Sequence, residues 1–224
     1  MSAVLILRPE PGCAATLAAA RGMGLAARSA PLFAIEPREW NVPTAPFDAL
    51  LVGSANAFRH GGAQLETLCH LPVHVVGEAT AEAARAAGFT VAGIGSGGLQ
   101  GVLDGIAPGT HLLRLSGEER IELNPPTGVS IDEVVVYASV PRPLDPAALN
   151  GNPLVLLHSA EAARHFAAEC DRLAIDRAAL SLATIGPRVT KAAGSGWRAL
   201  ETAAQPSDAA LLALAARMCQ SSAR

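Results

Sequence analysis

The sequence predicts an α/β fold of two lobes, each a doubly wound parallel sheet, and three observations predict it. Short apolar runs alternate with alanine-rich helical stretches along the chain, the pattern of buried parallel strands and their crossover helices. The segment Ser54-Ala55-Asn56-Ala57-Phe58-Arg59-His60 returns as Ser159-Ala160-Glu161-Ala162-Ala163-Arg164-His165, identical at five of seven positions, which marks an internal duplication. Two proline-rich stretches, Pro37 to Pro46 and Val140 to Pro146, read as connections between lobes. Two connections mean two crossings, so one lobe is built from both ends of the sequence.

Each half justifies its elements in order. Val4 to Leu7 is a first strand, the alanine-rich stretch Ala14 to Ala20 a helix closed by Gly22 and Gly24, and Pro31 to Ile35 a second strand, together a β–α–β unit. Ala49 to Val52 is a strand leading to a helix near Ser54, and Val73 to Val76 leads to a helix over Thr80 to Ala87 closed by Gly88. A short strand over Thr90 to Ile94 and a helix near Leu99 to Ile106 complete the half. The second half repeats the order with Leu154 to Leu157, Leu182 to Ile185 and a last helix over Asp208 to Arg217. Within a few residues the same register sets Leu7-Arg8 over Leu113-Arg114, Gly22 over Gly128, Val76-Gly77 over Ile185-Gly186, and Leu103 over Leu214.

Composition narrows the function classes. Half of the 224 residues are hydrophobic and only 17% are charged, against roughly 25% in an average soluble protein, so the chain folds rather than staying disordered. A net charge of −3 lacks the basic footprint of a nucleic-acid binder. Lys191 is the sole lysine among 17 basic residues; coding bias explains this, and so does a preference for the arginine fork that carboxylates and phosphates accept. Cys13, Cys69, Cys170 and Cys219 form no CxxC pair and fit reduced thiols in a cytoplasmic protein. No apolar run approaches a membrane span.

Ligands of parallel sheets bind beyond the carboxyl ends of the strands, where helix N-termini present free N–H groups. Four turns have that form: Gly53-Ser54-Ala55-Asn56, Gly77-Glu78-Ala79-Thr80, His158-Ser159-Ala160-Glu161 and Gly186-Pro187-Arg188-Val189. Ser54, Thr80 or Ser159 taken singly is a helix cap. The capped turn recurring in register points also to a duplicated anion cradle. Arg8 and Arg114, equivalent under the repeat, stand at the ends of first strands, as carboxylate clamps or as structural arginines bonded to loop carbonyls. Arg120, after the Gly117 turn, could serve the same cleft as Arg114. Tyr137, the sole tyrosine, follows Val134 to Val136 beside a connection, where it packs at an interface or presents its hydroxyl to a cleft.

Sharper motifs fail. Gly93 to Gly98 fits G-x-G-x-x-G but lies deep inside a half, and its repeat partner near Ala203 to Ser207 has no glycine, which argues against a nucleotide-dependent oxidoreductase. Cys69, His70 and His74 are interrupted by Pro72, which breaks the helix a metal site would need. There is no G-x-S-x-G elbow and no Walker lysine. His158 reads as a strand-end residue rather than a catalytic base.

Leu7-Arg8-Pro9, Pro31-Leu32, Phe47 to Leu50 running into Ser54 to Ala57, Val76 to Thr80, Val136-Tyr137, and Ile185-Gly186-Pro187 with Thr190 follow one another in an order that resembles the uroporphyrinogen-III synthase family over nearly the whole chain. The resemblance implies two flavodoxin-like lobes joined by a two-stranded linker: 1–35 with 144–224, and 40–136, with linkers at 36–39 and 137–143. It implies a cofactor-free, metal-free lyase that closes linear hydroxymethylbilane to uroporphyrinogen III, with inversion of ring D and loss of water through a spirocyclic intermediate. Tyr137 matches the tyrosine that assists departure of the hydroxyl. Ser54, Asn56, Gly77, Thr80, Ser159 and Gly186 match positions that hold acetate and propionate arms. The family commonly carries threonine directly after the Gly-Pro pair, whereas here Arg188 and Val189 intervene before Thr190. The resemblance further implies a monomer, with transient contact with porphobilinogen deaminase among the expectations. The residues by themselves also admit a non-catalytic two-lobe module that binds an anionic small molecule.

Overall fold

A computed structural model describes residues 3–221. In chain order the elements are β1 (Val4–Ile6), α1 (Gly12–Gly22), β2 (Ala27–Ser29), β3 (Phe33–Pro37), β4 (Ala49–Val52), α2 (Asn56–His60), β5 (Val73–Val76), α3 (Glu78–Ala86), β6 (Val91–Gly95), α4 (Leu99–Leu103), β7 (His111–Gly117), β8 (Ser130–Pro141), β9 (Leu154–Leu157), α5 (Ala160–Arg172), β10 (Ser181–Thr184), α6 (Pro187–Ala193), β11 (Ala199–Thr202) and α7 (Asp208–Ser221). They form a mixed α/β fold with two sheets, ordered β11-β10-β9-β1-β2 and β3-β8-β7-β4-β5-β6. The chain divides into two compact units, residues up to Ala34 with those from Val140 onward, and Ile35–Ser139.

In the first unit every strand pair is parallel. Alternation along the strands sorts the side chains by face. Leu5, Leu7, Val155, Leu157 and Leu182 pack under α5 and α6 through Ala163, Phe166 and Val189. Val4, Ile6, Leu154, Leu156 and Ala183 pack under α1 and α7 through Cys13, Leu211 and Ala215. Both faces are thereby covered, which is why these strands read as continuous apolar runs.

The second unit follows the same rule with one exception. Leu50, Val52, Val73, Val75, Leu113 and Leu115 face α2 and α3, whereas Ala49, Leu51 and Leu112 face α4. The parallel crossover from β7 to β8 contains no helix, so part of that second face is covered only by irregular chain. β3 extends this sheet beyond β8, with the Arg38 N–H donating to the Val136 carbonyl (3.0 Å).

One expectation is corrected here. The parallel partner of β1 is Ala27–Ser29, not Pro31 to Ile35; the latter region belongs to β3, in the other sheet. β2 is a three-residue edge strand, none of it buried, so it carries no apolar run for a sequence reading to find. The Ala14 to Ala20 helix also starts earlier, at Gly12.

Candidate active site

In the second unit the strand ends bring several of the expected residues together. β4 runs into Gly53 and Ser54, β7 ends at Gly117, and β8 passes Tyr137 beside it in register. Gly53, Ser54, Arg114, Gly117, Arg120 and Tyr137 line one cavity of about 250 Å³. Gly117 is required there by close approach: a Cβ would stand 2.7 Å from two carbons of the Tyr137 ring. The half-buried Tyr137 hydroxyl makes no hydrogen bond to another described residue. Ser54 Oγ accepts from the Asn56 N–H (3.2 Å) in the turn before α2, but the N-cap residue there is Ala55 and no side chain caps the helix; α3 likewise opens at Gly77 without a side-chain cap, so of the three expected capping residues Ser159 alone caps. Gly77 opens α3 with φ 76° and ψ 153°, a conformation reserved for glycine. Thr80 is buried one turn later, its N–H and that of Ala81 both donating to the Gly77 carbonyl (3.2 Å each).

Arg114 is not at a strand end as the repeat suggested, because β7 continues three residues past it to Gly117. It lies opposite Glu133 of β8 in register. Its Nη1 is 2.8 Å from Glu133 Oε2 and donates to the Ile121 carbonyl (3.0 Å). Arg120 pairs with the other carboxylate oxygen of Glu133. Arg114 is 5% exposed, and its Nε is buried without a partner. Burial lowers its pKa, partly offset by Glu133, yet a guanidinium stays charged at neutral pH. Arg114, Arg120 and Glu133 also border a second cavity of about 490 Å³ against Ile121, Asn124 and Ile131, under the crossover that lacks a helix. Sequence reading missed Glu133; the cue would have been its cross-strand register with Arg114, which is a property of the folded sheet.

The first unit places its expected residues differently. Arg8, two residues beyond β1, folds back over Gly12, where a Cβ would come 2.5 Å from its Nε. It donates to Thr16 Oγ1 (3.2 Å) and lies 3.6 Å from Asp208 Oδ1. Asp208, the first residue of α7, also accepts from His158 Nε2 (2.8 Å) and Thr16 Oγ1 (2.9 Å to Oδ2). The Asp208 bond puts the proton of a neutral His158 on Nε2, leaving its buried Nδ1 without a partner. Burial lowers the His158 pKa, opposed by the bond to Asp208. Ser159 Oγ accepts from the Ala162 N–H (3.0 Å) and caps α5. At α6, Pro187 has no N–H and the N–H groups of Val189 and Thr190 both close on the Gly186 carbonyl (2.9 and 3.1 Å). Val189 is buried in the core, and Thr190 Oγ1 is held between Thr184 Oγ1 (2.5 Å) and Thr202 Oγ1 (2.6 Å). Both side chains thus face inward.

Other candidates are accounted for by packing. A Cβ at Gly93 would stand 3.0 Å from His74 Nδ1, and one at Gly95 would overlap Val102, so those glycines serve the edge strand β6. Burial pushes the Cys170 thiol up to about 11, away from nucleophilic chemistry. Among the described residues no group of three or more His, Cys, Asp or Glu gathers as a metal site, and no helix is long and apolar enough to cross a membrane.

Hydroxyls and guanidiniums at the carboxyl ends of parallel strands are the equipment of an α/β enzyme for an anionic small molecule. Residues 14–213 match the family model described as uroporphyrinogen-III synthase HemD, and the chain belongs to that family of cyclising lyases. The fold is similar to that of a uroporphyrinogen-III synthetase from Helicobacter pylori, with a TM-score of 0.66 at 18% identity over 97% of this chain and all of that one. It is also similar to a mutant uroporphyrinogen III synthase from Thermus thermophilus, with a TM-score of 0.51 at 16% identity over 98% of this chain and all of the other. No curated protein matches the chain.

Proposed function

We propose that this chain closes hydroxymethylbilane to uroporphyrinogen III, with Tyr137 as the proton donor. The family match over residues 14–213 carries the reading. The unbonded Tyr137 hydroxyl beside Ser54 and Gly117 supports the assignment of the acid. Loss of the hydroxymethyl oxygen as water leaves an electrophilic azafulvene, which needs one proton at the departing oxygen. The new bond then forms at the substituted carbon of ring D, giving a spirocyclic intermediate whose collapse inverts that ring. The substrate closes on its own to the other isomer, so the chain's contribution is to hold the arms while attack is directed. Acetates and propionates would meet Arg114 with its spare Nε in one unit, and Arg8 with the Ser159 and Gly186 turns in the other. Ser54, Asn56 and Gly77 would present the remaining polar groups, with Thr80 acting from behind the Gly77 turn and Val189 and Thr190 from behind the Gly186 turn.

We further infer that the two units are duplicated flavodoxin-like folds. In chain order the first sheet runs 2-1-3-4-5, as β2-β1-β9-β10-β11, and the second sheet's β8-β7-β4-β5-β6 is its circular permutant 5-4-1-2-3, matching strand for strand when each is numbered by its place in the repeat; the repeated segment falls at the same turn in each. β3 and β8 would form the two-stranded linker of that arrangement. Four free cysteines fit a cytoplasmic chain.

A coupled assay tests the function: porphobilinogen deaminase supplies the bilane, and the oxidised products are separated into isomers I and III. Dominant isomer III is expected. Isomer I alone, at the spontaneous rate, would reduce the chain to a binder of anions.

A further inference from the structure

The crossover from β7 to β8 contains no helix, yet its chain is tied down on both sides of Ile121. The Glu118 N–H donates to the Tyr137 carbonyl (2.9 Å), and the Glu118 carboxylate pairs with Arg38 (3.0 Å). Arg120 donates to the Glu118 carbonyl (2.7 Å) and pairs with Glu133. Beyond Ile121, the Asn124 N–H donates to Gln100 Oε1 (3.0 Å) and its carbonyl accepts from Gln100 Nε2 (2.9 Å). Ile121 itself is held by its carbonyl, which accepts from the buried Arg114 (3.0 Å). The two large apolar side chains of this strap have different fates. Leu123 packs against the core beneath α4, whereas Ile121 joins none of the hydrophobic clusters of the described residues and is 60% exposed. A fixed backbone therefore holds an aliphatic side chain out of every core. It is held into a site: Ile121 lines the cavity of Tyr137 and also the larger one beneath the crossover. The other large apolar side chains of the Tyr137 cavity, Val76, Leu99 and Leu115, are committed to the cores behind it. Met23 and Ile94, also large and exposed, line neither cavity.

We propose that Ile121 is a substrate contact that keeps water from the methylene carbon of the azafulvene while ring D attacks it. The inference rests on the synthase reading. Once the protonated hydroxyl has left as water, two nucleophiles compete for the methylene. Attack by ring D leads on to product. Attack by water adds an oxygen to the methylene carbon and a proton to the ring nitrogen, which restores the linear bilane and wastes the ionisation. An aliphatic side chain has no lone pair to add and no proton to give, and it packs on the flat face of a pyrrole without meeting the carboxylate arms. Ser54, Arg120 and the Tyr137 hydroxyl make the rest of the cavity wall polar, so a pinned apolar face beside the proton donor is what decides the partition.

The test compares the wild-type chain with Ile121→Asn and Ile121→Leu in the coupled assay, run in water enriched in heavy oxygen. Two quantities are followed: isomer III formed, and label in the bilane recovered at partial conversion, with the exchange seen without the chain subtracted. Ile121→Asn is expected to lower kcat for isomer III about tenfold and to raise the label taken up per turnover about tenfold, with KM within about threefold of wild type. Ile121→Leu restores the apolar bulk and should bring both readouts back to within about twofold of wild type. Ile121 belongs to no core, so both variants should keep the wild-type thermal midpoint. Unchanged rate and label in Ile121→Asn, or a leucine variant as impaired as the asparagine one, would overturn the contact; beside a wild type that forms isomer III, either result leaves the synthase standing. A loss of kcat without added label, accompanied by a lowered midpoint, would make Ile121 structural and overturn the contact as well. A wild type that forms isomer I alone overturns both readings.

Discussion

Tyr137 is held by what its neighbour lacks. Its ring lies on Gly117, so Gly117→Ala should push the ring aside while Tyr137→Phe should leave it in place without its proton. Both changes are expected to lower kcat for isomer III by about 10²-fold; only Gly117→Ala should also disturb the near-ultraviolet circular dichroism of the sole tyrosine. Unchanged turnover in Tyr137→Phe would remove the residue from the mechanism. His158 makes a separate prediction about pH. Its folded pKa is depressed below 6.5 by burial, so the unfolded chain binds the proton first as pH falls. Stability is therefore full above about pH 6.5 and declines below it, until the folded chain also protonates. Denaturant midpoints of the wild type should drop between about pH 7 and pH 5, and those of His158→Gln should drop less. Neither the Gly117 contact nor the burial of His158 was legible in the sequence, because both depend on which side chains face each other across strands.

At the scale of elements, α5 shows how a helix ends without its usual signal. Ala174 follows its C-terminus at φ 52°, and Ile175 closes the turn by donating to the Cys170 carbonyl (2.9 Å). An alanine in the left-handed region costs about 1 kcal/mol or more relative to glycine. Ala174→Gly is therefore expected to stabilise the chain by about 1 kcal/mol in urea unfolding; a loss of stability would show that the turn relaxes out of that region. Helices such as α3, closed by Gly88, were legible, because glycine after an alanine-rich run states the physical requirement directly. β2 was not. An edge strand with no buried residue has no hydrophobic pattern, and only its pairing with β1 makes it a strand.

The whole molecule is divided unequally along its sequence. Ile35–Ser139 is one continuous unit containing β4 to β8, with cores on both faces of its sheet. The other unit needs β1 and β2 from the start of the chain beside β9, β10 and β11 from its end. A fragment of residues 35–139 is accordingly expected to fold alone, with a cooperative thermal transition and dispersed amide resonances. A fragment beginning at Val140 should not, since it would leave one edge of β9 unpaired and the Val4 and Ile6 positions of its core empty. A disordered 35–139 fragment would show that its stability depends on the rest of the chain. Ionic strength belongs to this scale as well, because a net negative chain binds a polyanion only through local reversals of charge.

The alternation of strands and helices, the repeat and the Ser159 cap of α5 were determined by the sequence itself, because each is a local pattern of apolar spacing, glycine and capping hydroxyls. The family followed from the order of those same segments. Tertiary structure alone decided that Arg114 pairs with Glu133 in mid-strand, that Arg8 turns to Thr16 and Asp208, and that Val189 and Thr190 face inward while Arg188 and Lys191 face out. These outcomes are set by strand register and by which helix covers which face, and both bring together residues from distant parts of the chain whose meeting no local pattern encodes.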